Sequence, residues 1–598
     1  MAKELPSRNE VDDQHKWNLE SIYKSDEEWE KDFNKVKEML KEVENYKSQL
    51  VSSSEKLYEG IELILKIEEL VSRLYAYSHM RHDEDTGNQT YQGINNRAQS
   101  LYNEVNSAIS FMVPEIVSLS KEDMEKYLEE KEELQLYRHL LENIMRKKDH
   151  FLSAQEEKLL AMAGDLAQGP GNIFGILNNA DLTFPTIEDG EGEEVRITHG
   201  RYIEYMQNKD RRVREDAFKA LYSKYDEFEN TFASTLNTSV KSHIFYARAR
   251  NYNSALEAAL DNDNVPVDVY NNLISTVRDN IDAMYQYVSI RKKALELDNL
   301  HMYDVYVPLV KNLDLKIPYS EAKETVLKGV APLGEEYSSI MQKGYDSGWI
   351  DVYENKGKRS GAYSSGTYGV HPYVLLNHTD NLDSMFTLAH EMGHALHTYY
   401  SNENQPFVYA DYKIFVAEVA STLNEILLLH YLLENTDDEL KKKYLINHYL
   451  EQFRGTVFRQ TMFAEFEKII HEEAEKGTPL TAECLKEIYR QLNIDYFGSD
   501  IKIDDQIDLE WARIPHFYYN FYVYKYATGF SAATTLANKI LDEGEGAVKR
   551  YIDFLKSGDS DYPLNVLKTA GVDMTSPDPI KAAIDTFKDF LSKFEELL

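Results

Sequence analysis

Cysteine is nearly missing from this chain. Cys484 stands alone among 598 residues, so no disulfide can form within the chain. A protein of this length without disulfides fits a reducing compartment, and a cytoplasmic location is expected. Apolar runs such as Ile426–Leu429 are far too short to span a bilayer. The opening stretch MAKELPSRNEVDDQHKW has no apolar core of secretory-signal length. Positive charge is also in short supply: 66 Lys and Arg face 102 Asp and Glu, a formal net charge of −36. A chain that tracks nucleic acid or docks on anionic lipid needs the opposite balance, so both partners are excluded from the reading. The glycine-rich stretch 346–380 has no phosphate-binding loop, because no Lys-Ser/Thr follows a glycine there at the required spacing.

What remains is a long, soluble-type sequence with 42% hydrophobic and 28% charged residues, enough for more than one core. Residues 1–180 read as almost wholly helical. Trp17, Leu19, Ile22 and Trp29 are spaced apolar anchors; Ile61, Ile64, Ile67, Leu70 and Leu74 form a helical stripe. Ser153 and Glu156 have the spacing of a capping box ahead of Leu159, Leu160 and Met162. Residues 182–198 read as a hairpin around Asp189-Gly190-Glu191-Gly192, which places a boundary between a scaffold domain, 1–198, and a catalytic domain, 199–598. The glycine-rich stretch 346–380 ends in a short strand at Tyr373–Asn377, expected at a sheet edge where extended peptide backbone can pair. Ile580, Ile584, Phe587, Leu591 and Phe594 fall on one face of a final helix.

The chemistry concentrates at Met385–Tyr400, MFTLAHEMGHALHTYY, which contains the H-E-x-x-H pattern His390-Glu391-Met392-Gly393-His394. Residues four apart share one helix face, so the two imidazoles can grip one ion, and Glu391 can reach water bound to it. Neutral imidazoles suit Zn2+, which keeps an open fourth position in hydrolytic sites. The third ligand is expected from KIFVAEVASTLNE: Glu418 follows His394 by 24 residues and sits among Val416, Ala417, Val419 and Ala420. Glu425, two turns further along, is placed to hydrogen-bond a ligand histidine. His397 lies about 10 Å from His390 along the helix, too far to share an ion, and reads as second-layer or core. His371 and His378 flank the strand with a structural role at least as fitting. His471-Glu472 is followed by Glu-Ala-Glu and reads as a solvated charge run.

HEMGHALH and FVAEVAST together resemble the M3 family of zinc metallopeptidases. RNYNSALEAAL at 250–260, SGAYSSGTYGVHPYVLLNHT, IPHFYYNFYVYKYATG at 514–529 and YPLNVLKTAGVDM at 562–574 carry the resemblance over the whole length. It implies a mainly α, two-part helical body enclosing a deep substrate channel, with small β elements near a single Zn2+. It further implies hydrolysis of internal bonds in short peptides, folded proteins being kept out. His390, His394 and Glu418 match the zinc ligands and Glu391 the catalytic glutamate. The family's substrate-binding histidine and tyrosines map onto His516, Tyr522 and Tyr524, with Tyr519 and Tyr526 as alternatives. Two other readings stand beside an endopeptidase: a dipeptidyl carboxypeptidase like angiotensin-converting enzyme, which also uses HEMGH, and a non-catalytic peptide-binding protein on the same fold.

Overall fold

The computed structural model describes residues 4–310 and 315–598. It is mainly helical, with seven short strands among the described residues. Two compact units interleave along the chain. The first comprises Met1–Phe151, Asp314–Glu434 and Leu536–Val572; the second comprises Leu152–Leu313, Asn435–Thr535 and Asp573–Leu598. Neither unit begins or ends at the 198/199 boundary read from the sequence.

In the first unit the helices Asp26–Val43, Ser54–Glu84 and Gln89–Ile109 pack together. Trp17, Leu19, Ile22 and Trp29 are buried as their spacing predicts, as is the stripe from Ile61 to Leu74. This core closes directly on Tyr373 and Leu375, so the N-terminal helices support the strand beside the H-E-x-x-H helix. That strand, Tyr373–Leu375, is not at an edge. It is the middle member of a three-stranded sheet, parallel to Ile350–Asp351 and antiparallel to Tyr363–Ser365. The expectation of substrate pairing there is overturned, because both its neighbours are already strands of the protein.

The helix Leu382–Asn404 begins where the Asn381 side chain accepts the Ser384 N–H at 2.8 Å. The helix Ile414–Glu434 follows and is its principal packing partner. Among the described residues it is the one helix long and apolar enough to cross a membrane; two thirds of its most apolar window is buried, and it carries Glu418 and Glu425.

The second unit opens with Ala154–Ile176, started by the predicted capping box of Ser153 and Glu156. Leu160 is buried on it, whereas Leu159 and Met162 are exposed. The hairpin is present, Thr186–Glu188 pairing antiparallel with Glu194–Arg196, and it lies inside this unit. The final helix, Asp578–Glu596, seals Ile580, Ile584, Phe587, Leu591 and Phe594 completely.

Candidate metal centre and substrate-binding residues

Glycine decides how the two central helices meet. A Cβ on Gly393 would stand 2.6 Å from both the Ala420 carbonyl oxygen and the Ser421 Cα. The side-chain-free position therefore lets the Ile414–Glu434 helix lie against the H-E-x-x-H helix backbone to backbone. Asn424 fixes the register of the pair: its amide donates to the Ala389 carbonyl at 3.1 Å and accepts from the Tyr337 hydroxyl at 2.9 Å.

This contact brings three side chains to one point. His390 Nε2 and His394 Nε2 each lie 3.4 Å from Glu418 Oε2, and the rings meet nearly at right angles with centroids 4.9 Å apart. A tetrahedral cation held at about 2.1 Å by each ligand separates the ligand atoms by about 3.4 Å. Both His–Glu distances fit that spacing, and the three ligand atoms all lie within 4.8 Å of one another. Ser421 donates to the same Glu418 oxygen at 3.0 Å. Glu425 Oε1 sits 2.6 Å from His390 Nδ1, where it can accept an Nδ1–H and leave Nε2 on the side of Glu418 for a cation.

The electrostatics describe a place built for positive charge. Burial would lower the His390 pKa, yet the hydrogen bond and charge of Glu425, with the charges of Glu391 and Glu418, raise it to about 9. Burial would raise that of Glu418, yet the hydrogen bond and charge of His394 and the charge of His390 bring it down to about 2. Burial pushes Glu391 upward against the pull of both histidines. Its Oε2 is buried and accepts no hydrogen bond among the described residues, leaving a free acceptor beside the cluster.

Three other histidines near the H-E-x-x-H helix pack against aromatic rings. His397 is buried and stacks on Tyr412 with centroids 3.6 Å apart, and burial pushes its pKa down to about 3. His371 lies flat on Trp349, and His378 is enclosed by Tyr319 and Tyr353.

In the second unit, Pro515–Tyr518 forms a tight turn that presents His516. The rings of Tyr519, Tyr522 and Tyr526 surround it at 5.5, 6.2 and 5.9 Å, and the Tyr526 hydroxyl is 3.4 Å from His516 Nε2. Tyr524 points the other way. It is buried, with its ring against Tyr270 at 5.1 Å. Of the pair first singled out, Tyr522 shares the histidine's side, together with Tyr519 and Tyr526, and Tyr524 does not. His471 also departs from expectation. It is buried and stacked on His243, with only the neighbouring Glu472 exposed, because one face of its helix packs inward. Gly393 and Asn424 were not singled out from sequence; the only signal was glycine inside a helical motif.

Comparison with known proteins accords with this geometry. The family model for Peptidase family M3 matches residues 204–586, and the one for Oligopeptidase F matches 115–184. The chain is 52% identical over 597 residues to oligopeptidase PepF of Bacillus subtilis (strain 168), covering all of this chain and 89% of that protein. It is 44% identical over 599 residues to an oligoendopeptidase F homolog of Lactococcus lactis subsp. lactis, covering 100% and 99%. The crystal structure of oligoendopeptidase-F from Enterococcus faecium superposes with a TM-score of 0.76 at 42% identity, covering 96% and 99%. A peptidase structure from Chlamydophila abortus superposes with a TM-score of 0.92 at 37% identity over the full length of both chains. This chain belongs to peptidase family M3 and is a metalloendopeptidase similar to oligoendopeptidase F.

Proposed function

We propose that this metallopeptidase is a zinc-dependent oligoendopeptidase that hydrolyses internal bonds of short peptides with Glu391 as general base. The observation that carries the reading is the convergence of His390, His394 and Glu418 at 3.4 Å, with the unpartnered Glu391 carboxylate oxygen beside them. His390, His394 and Glu418 hold the ion, and Glu425 keeps His390 in the tautomer that leaves Nε2 free. Bound zinc supplies a Lewis acid that brings the pKa of water to about 7.

Glu391 takes a proton from the attacking water and returns it to the leaving amine. His516, Tyr522 and Tyr526 are taken as the substrate-binding groups that the family resemblance implies; Tyr524, from its burial, packs the body instead. In this reading residues 199–598 carry the chemistry and residues 1–198 serve as scaffold. The packing of Trp17 and the following helices on Tyr373 and Leu375 supports that role.

The test is Glu391→Gln, expected to keep its metal and to lose about 10²–10⁴ in turnover of a quenched peptide. Near wild-type turnover would reject the general-base role. Mass spectrometry of products from a peptide blocked at both ends should show internal cleavage; removal of C-terminal dipeptides alone would favour a carboxypeptidase.

A further inference from the structure

Between the His516 turn and the helix that starts at Tyr524, two consecutive residues adopt left-handed backbone: Asn520 at φ 49° and Phe521 at φ 60°. Neither is glycine, and for a residue as bulky as phenylalanine this conformation survives only where the surroundings over-determine it. The surroundings here centre on Glu467, on the helix Arg459–Lys476. The Glu467 side chain is completely buried. Its Oε1 accepts the Phe521 N–H at 2.6 Å, and its Oε2 has no hydrogen-bond partner among the described residues.

The Phe521 ring is clamped as well. It lies 4.4 Å from His471, one turn along the same helix, and edge-on to Tyr270 at 5.8 Å. His471 donates Nδ1–H to the Glu467 backbone carbonyl at 2.8 Å and faces His243 Nδ1 through Nε2 at 3.1 Å. Tyr270 donates to the Ala464 carbonyl at 2.7 Å. The titratable groups packed around Glu467 are therefore His471 on its own helix, His243 on Glu229–Ala249, Tyr270 on Val267–Asp279 and Tyr524 on the helix that follows the turn. The Lys525–Asp263 ion pair, at 2.7 Å, lies beyond Tyr524.

We propose that Glu467 is a positioning residue for the His516 cluster: completely buried, it accepts the Phe521 N–H and so fixes the Asn520–Phe521 turn, and through the turn the stance of Tyr522 and Tyr526 around His516. The inference rests on the reading of His516 and these tyrosines as substrate contacts. The neutral acid is the form suited to the task, since one amide N–H is poor compensation for a buried negative charge. Burial accordingly pushes the carboxyl up to about 8, against the opposing pull of that N–H. Glutamine at this position keeps the acceptor and cannot ionise; leucine keeps the bulk and abandons the N–H.

The experiment compares Glu467→Gln, Glu467→Leu and His516→Phe in the full-length, zinc-loaded enzyme, following kcat, KM and metal content on a quenched peptide. Glu467→Gln is expected to match wild type near neutrality and to lack the decline expected of wild type as pH rises through about 8. Glu467→Leu is expected to lose about 10²-fold in kcat with metal content unchanged, the penalty of a displacement near 1 Å. Wild-type kcat in Glu467→Leu overturns the proposal, as does equal impairment of both Glu467 variants. If Glu467→Leu does not fold, the alkaline profile of Glu467→Gln decides, and an unaltered decline overturns it. His516→Phe at wild-type rate removes the substrate-contact reading itself; His516→Phe impaired beside an unimpaired Glu467→Leu removes this inference alone.

Discussion

Glu425 Oε1 lies 2.6 Å from His390 Nδ1 and, in the proposed reading, leaves Nε2 for the cation. Replacing it with alanine frees the ring to rotate and to exchange tautomers. Glu425→Ala is expected to weaken zinc retention by about 10–100-fold while leaving the fold intact, measured by competition against a chromogenic chelator. Glu418→Ala removes a ligand outright and should lose its metal on dialysis; full occupancy by metal analysis would exclude the ligand role. These residues were legible because helical geometry turns spacing into direction. Four residues separate the two imidazoles, and seven separate Glu418 from Glu425. Tyr526 was not legible over Tyr524, because the phase of the helix they share is set by the left-handed Asn520–Phe521 turn, and no glycine announces that turn. Glu467 and His471 escaped for a related reason. A Glu or His in a charged run shows its burial only once the neighbouring helices are in place.

Pairs of elements fix the centre, and their sequences reveal the elements more readily than the pairing. Gly393→Ala would put a methyl 2.6 Å from backbone atoms of the Ile414–Glu434 helix, which cannot yield as a flexible side chain would. The helices must part, at a cost of about 1–3 kcal/mol typical of overpacking. The variant is expected to melt lower and to bind zinc more weakly than wild type, both read from one set of thermal scans with and without added zinc. A change in melting alone, with unaltered affinity, would mean that Glu418 tolerates the shift. The strand at Tyr373–Leu375 is a second instance. Its β-type residues were plain, but its central place depends on the two-residue strand Ile350–Asp351, too short to leave a periodic signal.

Stability of the whole molecule should depend on pH from both sides. His243 and His471 are buried neutral, with pKa values pushed down by burial to about 4 and about 3. Their contribution is complete above the ordinary histidine pKa of about 6.5 and is lost as pH falls toward those lower values. Glu467 works in the reverse sense. Its raised pKa makes the folded state keep a proton that the unfolded chain releases, so its contribution erodes as pH rises from the ordinary carboxyl range toward about 8. The melting temperature is expected to pass through a maximum between these limits, and Glu467→Gln should flatten its alkaline side alone. The mainly helical class was legible at this scale from periodicity and caps. The interleaving of the two units was not, since it depends on which distant segments share a core.

Gly393 also limits what can be transplanted. A designer who grafts the five residues from His390 to His394 onto another helix copies the two imidazoles and the carboxylate but not the furrow against which they work. Without a bare backbone spot facing an equally close neighbour, an acid from a second helix stays too distant to complete the cage. The portable unit is the crossing of two helices, with the short motif as one half of it.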